Sequence, residues 1–266
     1  MIRRPPRSTL DRSSAASDVY KRQKAVSAVL PSLRSEWEID YVTANGENAA
    51  GGFGITFDTA KELLKAGVDG FTSGNHIWDK NAIVPYLQEN SLPIARPLNY
   101  PAASPGYGYI ILGNLLIVNL LGRTFMPPID CPFESIDAFL SEDITKDKIV
   151  VVDFHAEATS EKGALGWHLD GRAAAVVGTH THVGTVDTQI LPNGTAFVTD
   201  LGMTGAIHSV IGSAPEDVLY RFLTLRPRRL NVVTSGPARF NSVLIEINES
   251  TGHAESITRI DKEITF

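Results

Sequence analysis

Two histidines one residue apart, His180 and His182, close the apolar run Ala173-Ala174-Ala175-Val176-Val177-Gly178-Thr179. Such a run reads as a buried parallel strand. Open α/β sheets gather ligands at the C-terminal ends of their strands, and alternation would turn both imidazoles to one side. Imidazole is the commonest metal ligand. A metal site is therefore one reading, and two surface histidines in a loop is the other. Three more apolar runs end in ligand-type residues. Glu47 and Asn48 follow residues 39–44, Asn75 and His76 follow 68–72, and His155 follows 148–152. One such corner is ordinary. Four of them on the shared rim of a parallel sheet point to a common metal site.

The donors are nitrogen and oxygen without thiolate, which suits iron, manganese or zinc rather than a structural cysteine cluster. A carboxylate such as Glu47 can bridge two cations. Two cations about 3.5–4 Å apart hold a phosphate, activate water and stabilise a leaving oxygen. A phosphate ester is the natural substrate, and a histidine such as His76 could act as a general acid on its leaving oxygen. Plainer roles stand beside these. Asn48 and Asn75 could cap helices or take left-handed turns, and Glu47 could be a first-turn helix charge. His168 reads as a helix-face residue and His253 as a hairpin-turn residue. His208 is a loop residue within reach of a substrate, and Arg96 and Arg123 could meet phosphate or carboxylates. Walker, dinucleotide-binding and Gly-x-Ser-x-Gly patterns are missing, which disfavours those chemistries.

The elements that would carry these corners alternate. Helical spacing covers 24–37, 56–66 with Gly67 as its C′ residue, 79–87, 133–140 and 157–169. Strand patterns cover 39–44, 68–72, a short piece within 93–101, 148–152 and the run from Ala173. Two apolar runs, 109–112 and 115–121, flank Gly113-Asn114 as a hairpin. A second hairpin joins 188–191 to 195–198. A helix at 216–223 and strands at 242–247 and 255–260 close the chain. Such an order suits an α/β fold of two packed sheets with helices outside.

Composition bounds the rest. The chain has 266 residues, 43% hydrophobic and 20% charged, with net charge −6. One large domain, 24–266, is expected. The acidic balance argues against a general nucleic-acid or anionic-membrane surface. A lone cysteine, Cys131, permits no internal disulfide and suits a reducing, cytoplasmic setting. No apolar run reaches membrane-spanning length, and no signal peptide is evident. A homo-oligomer stays open. Residues 1–23 are polar, rich in Arg and Ser, and show no helical or strand period. They read as a basic disordered arm, as a presequence weakened by Asp11 and Asp18, or as a non-native fragment resembling a translated sequencing adapter. The last is the expectation, with a native first strand overwritten.

Asn45-Gly46-Glu47-Asn48-Ala49-Ala50, Gly74-Asn75-His76, the stretch from Asp153 to Lys162, Gly178-Thr179-His180-Thr181-His182-Val183 and Thr199-Asp200-Leu201-Gly202-Met203-Thr204-Gly205 together resemble the YmdB-like branch of the calcineurin-type metallophosphoesterases. The resemblance runs from Lys24 to the C-terminus. It implies a four-layer αββα sandwich, two mixed β-sheets flanked by helices, and a dinuclear iron or manganese centre. It also implies hydrolysis of 2′,3′-cyclic nucleotides at the 2′ oxygen, leaving a 3′-phosphate. Glu47 would bridge both metals. Asn48 and His182 would serve the first, and Asn75, His155 and His180 the second. His76 would donate the proton. Family members also carry an aspartate ligand to the first metal at the end of their first strand. Its position falls at Ala16, two residues from Asp18, so weak binding of the first metal and impaired turnover are expected of this sequence. A catalytically impaired nucleotide- or metal-responsive regulatory protein on the same fold is the alternative. A TIM-barrel amidohydrolase would place its His-x-His pair after the first strand, not at 180 and 182.

Overall fold

The computed structural model describes residues 11–265, with side chains described from Gln23. The reading of 1–10 as non-native falls outside the described residues, as does the side chain of Ala16, while the backbone of 11–23 continues the helix expected to begin at Lys24. Helix α1 runs Asp11–Glu36 and contains Pro31. Its face Val29, Leu30 and Leu33 is buried, as the helical spacing predicts.

Strand β1 (Thr43–Asn45) is shorter than the apolar run expected over 39–44. Side chains take the backbone groups before it. Arg34 donates to the carbonyls of Ile39 and Asp40, and Val42 N–H donates to Asp69 Oδ2 at 2.8 Å. Helix α2 (Phe57–Lys65) is capped by Thr56, whose hydroxyl accepts from Thr59 N–H. It closes on Gly67 at φ +108°, the left-handed C′ conformation that glycine adopts without strain. Strand β2 (Gly70–Thr72) follows. The single helix expected over 79–87 is instead two 3₁₀ turns, Ile77–Asp79 and Asn81–Ile83, and helix α3 (Val84–Gln88). Lys80 breaks it with a non-helical backbone, and α3 restarts with Pro85 in its first turn, where the missing N–H costs nothing.

The hairpin over Gly113-Asn114 forms as β3 (Tyr109–Leu112) and β4 (Leu115–Leu121). Then come α4 (Pro132–Leu140), β5 (Ile149–His155), α5 (Thr159–His168), β6 (Ala175–Thr179), β7 (Gln189–Ile190) and β8 (Ala196–Val198). The chain closes with β9 (Gly205–Ala206), α6 (Pro215–Thr224), β10 (Ala238–Phe240), β11 (Val243–Ile247), β12 (Ala254–Arg259) and β13 (Lys262–Ile264).

Six strands form one mixed sheet in the order β3-β4-β5-β6-β8-β7, parallel from β4 to β8 and antiparallel at both edges. Alternation splits its two faces. Leu116, Val118 and Leu120 of β4 and Val150, Val152 and Phe154 of β5 pack with Ile136, Phe139 and Leu165 of α4 and α5. The opposite face meets further strands. Ala175 and Ala196 pack with Ala254, Ile245 and Ile257 of the antiparallel pair β11-β12. The parallel pair β1-β2, extended by a bridge from Phe71 to Ile94, and the antiparallel β13-β10-β9 complete the second strand layer. Outside it, α1 and α2 bury Leu30, Leu33, Ala60 and Leu63 against Phe71, Ile94 and Phe240. The fold is thus mixed α/β, two strand layers between two helical layers. The three strands β9, β10 and β13 are not evident as strands from the sequence. None of the described helices is long and apolar enough to cross a membrane.

Candidate metal centre

The parallel register sets the site. Asn45 pairs with Thr72 in one sheet and His155 with Thr179 in the other, and Asn45 Nδ2 and the Thr72 hydroxyl donate to Asp153 of β5, which joins the C-terminal ends of β1, β2, β5 and β6. Glu47, His155 and His180 each offer one ligand atom, and these atoms lie within 4.8 Å of one another. Glu47 and His155 are almost wholly buried. His155 Nε2 is 3.1 Å from Glu47 Oε1, 3.2 Å from Asn75 Oδ1 and 3.0 Å from His180 Nδ1. The same Oε1 accepts from Asn48 Nδ2 at 3.2 Å, and that amide nitrogen lies 3.0 Å from His182 Nε2. Glu47 thus joins two groups, Asn75-His155-His180 and Asn48-His182.

Buried hydrogen bonds fix the tautomer of His155. The one proton of the Thr179 hydroxyl goes to Asp153 Oδ1 at 2.6 Å. Thr179 Oγ1 must then accept from His155 Nδ1–H, 3.0 Å away, which aims the Nε2 edge of the ring at Glu47. Asp153 also accepts from the Thr72 hydroxyl and from Asn45 Nδ2. A partner of this kind orients a ligating histidine and raises its basicity. Glu157 does similar work on His180, with Oε2 3.0 Å from Nε2.

Burial opposes charge on Glu47, yet His155 beside it holds the carboxyl down at about 2. Burial opposes charge on His155 too, but Glu47 outweighs it and its pKa rises. Burial, followed by the charge of His155, drops His180 to about 4. His180 is therefore a neutral imidazole, the form that ligates metal. On Asp153, burial wins and the pKa rises.

Two observations fit these residues to a metal. The donor set is imidazole and carboxylate oxygen, the set used by iron, manganese and zinc. In addition, Gly74 lies where any side chain would collide with Glu47 Oε2 and His155 Nε2. The residue before Asn75 must therefore be glycine to leave room between the donors.

Strand alternation does not place the paired histidines. Strand β6 ends at Thr179, and His180 and His182 both take left-handed backbones, with φ +99° and +68°. Non-glycine residues adopt this region rarely and at a cost. Thr181 between them is pinned by Asp200, whose Oδ2 accepts from Thr181 N–H at 3.1 Å and from its hydroxyl at 2.8 Å. The same oxygen meets Lys162 Nζ at 2.7 Å, in a pair with both side chains 1% exposed.

His76 borders the centre. Its N–H donates to Glu47 Oε2 at 3.2 Å, and its Nδ1 lies 2.8 Å from Asp79 Oδ2. Sequence reasoning passed over Asp79, although a carboxylate three residues on in a helical turn is a readable signal. Asp153, Thr179, Lys162 and Asp200 carry no such signal, because register and packing bring them in. His208 lies exposed past β9, and no described hydrogen bond ties it to the centre. His253 is exposed. His168 ends α5 and meets Asp137 at 2.9 Å. Arg96 is buried and donates to the carbonyls of Pro97 and Leu98, while Arg123 is exposed.

Known proteins share this arrangement of sequence and fold. The model of the family described as YmdB-like protein matches residues 17–260. A Bacillus subtilis protein named 2′,3′-cyclic-nucleotide 2′-phosphodiesterase is 43% identical over 240 residues, covering 88% of this chain and 90% of that one. The crystal structure of a hypothetical protein from Thermus thermophilus superposes with a TM-score of 0.83 at 45% identity, covering 91% of this chain and 94% of the other. That of a novel phosphatase from Mycoplasma pneumoniae gives a TM-score of 0.83 at 30% identity, covering 91% and 89%. The chain belongs to the YmdB-like protein family.

Proposed function

We propose that this protein is a metal-dependent phosphodiesterase that opens 2′,3′-cyclic nucleotides at the 2′ oxygen and releases the 3′-phosphate. The observation that carries the reading is the convergence of Glu47, His155 and His180 within 4.8 Å, in a chain 43% identical to a relative named for that reaction. Asn75, His155 and His180 would hold one metal ion, Asn48 and His182 a second, and Glu47 both, with iron or manganese the proposed pair. Bound there, the ions would supply positive charge for the phosphate and Lewis acidity toward the attacking water. The acidic chain offers little other positive charge to an anionic substrate.

The protein's own groups do the remaining work. Glu47 stays ionised because His155 is beside it. Thr179 and Glu157 orient the two imidazoles that face it. His76, held at Nδ1 by Asp79, presents Nε2 as the donor that protonates the leaving 2′ alkoxide. The lone Cys131 fits a cytoplasmic setting.

The test is turnover of 2′,3′-cyclic AMP by the purified chain with Mn²⁺ or Fe²⁺, followed by chromatography of the product. 3′-AMP is expected, and its formation should stop on chelation. Absence of product even from the Ala16→Asp variant, or 2′-AMP as the main product, would overturn the reading.

A further inference from the structure

We infer that Phe53 is the nucleobase platform of this site, and that stacking of the base on it selects the 2′ oxygen for release. The inference rests on the phosphodiesterase reading and deepens it. Phe53 sits at the tip of a glycine-built loop. Gly51, Gly52 and Gly54 all have positive φ, +72°, +84° and +72°, a path that side chains resist. The loop is closed at its base by Ala50 N–H donating to Gly54 O at 2.9 Å. A side chain at Gly54 would press on Lys80. The backbone therefore holds a large apolar ring out at 46% exposure. Its neighbour is His76, ring centroids 5.0 Å apart and edge-on at 68°. A continuous row results: Glu47, then His76, then Phe53.

The order of this row matches the connectivity of the substrate. In the hydrolysis, the water oxygen bonds to phosphorus and the P–O2′ bond breaks. Its electron pair stays on O2′, which takes the proton from His76 Nε2; the water gives up one proton to solvent as it bonds to phosphorus, and solvent returns one to His76. O2′ is carried by C2′, whose neighbour C1′ bears the base. O3′ is one carbon further away. An aromatic surface directly beside the proton donor thus brings O2′, not O3′, to that donor. Aromatic stacking accepts any base, because every base has a π-face.

The experiment compares wild-type, Phe53→Ala and Phe53→Trp proteins on two substrates: 2′,3′-cyclic AMP and 1-O-methyl-ribose 2,3-cyclic phosphate, which lacks a base. Phe53→Ala should raise KM for cyclic AMP about 10-fold, the scale of one stacked base. It should leave the base-free ester unchanged and let 2′-AMP appear beside 3′-AMP. Phe53→Trp should keep both affinity and product. Equal losses on the two substrates would mean that Phe53 only supports His76, and would overturn the inference. So would an unchanged KM with 3′-AMP as the sole product. A wild-type protein that opens neither ring, with its Ala16→Asp variant equally inert, defeats the phosphodiesterase reading and the platform with it. Wild-type turnover that Phe53→Ala does not alter defeats the platform alone.

Discussion

Two buried aspartates stand behind the candidate centre, and they are solvated differently. Asp153 lies within strand β5 and is met by neutral donors, the hydroxyls of Thr72 and Thr179 and the amide of Asn45. Asp200 sits behind the loop after β6 and is met by a cation, Lys162. The ligands in front differ in the same way. His155 lies within a strand whose ladder already fixes its backbone, so its support has only to choose a tautomer. His180 and His182 lie past the ladder with left-handed backbones. Nothing regular holds them, and a charged clamp on Thr181 takes the place of the ladder. Ligands off a regular element need stronger anchoring than ligands on one.

Removing the cation is the harshest way to break this contrast. Lys162→Met leaves Asp200 buried and uncompensated. It should cost about 3–5 kcal/mol by urea denaturation, and Lys162→Met with Asp200→Asn should recover most of that. A loss under ~1 kcal/mol in the single variant would show that the pair is not what holds the loop.

Glu47 faces the site and adds a charge test. Its folded pKa of about 2 lies below the ~4.3 of an unfolded glutamate. Its contribution to stability is therefore full above about pH 4.3 and fades as pH falls toward 2. It amounts to on the order of 3 kcal/mol. His155, with a raised pKa, runs the other way: its contribution is full below about 6.5 and fades as pH climbs through the folded value. Melting of chelator-treated protein across pH should show the acid limb, and Glu47→Gln should flatten it. An unchanged acid limb in that variant would refute the pairing with His155.

The neutral support should fail more gently. Thr179→Val removes the hydroxyl between His155 and Asp153. A stability loss of about 1–3 kcal/mol is expected, with metal affinity down about 10–100-fold, both read by calorimetry. If it proves as damaging as Lys162→Met, the two supports are equivalent and the contrast is lost.

The candidate ligand residues were legible because chemistry and strand ends coincide in sequence. Glu47, Asn75 and His155 each follow an apolar run, but the first two end strands of one sheet and the third a strand of another, so it is the meeting of two rims, not the single rim expected, that brings them together. The geometry of His180 and His182 was not legible. Alternation assumes a strand that in fact ends at Thr179, and a left-handed backbone at a histidine has no residue signature. Strand β1 fell short of its pattern because side chains claim its backbone groups, Arg34 from the end of α1 and Asp69 from 27 residues on. Lys162 and Asp200 are 38 residues apart and meet only after α5 packs on the sheet. A lone buried lysine on a helix reads as a surface charge until that packing is known.

The smallest effect should come from the site's exposed wall. His76 and Asp79 are 29% and 28% exposed, so water screens their pairing, and part-exposed pairs are worth ~1 kcal/mol or less. Asp79→Asn keeps a hydrogen-bond acceptor for Nδ1 but drops the charge. Because Asp79 does not touch Glu47, His155 or His180, metal content and KM should hold while kcat falls about 3- to 10-fold. Elemental analysis beside steady-state kinetics separates the two quantities. Loss of metal in Asp79→Asn would make the wall part of the metal centre. A kcat fall of a thousandfold would mean that Asp79 does more than orient His76, and the division between a charge-anchored floor and a lightly held wall would have to be redrawn.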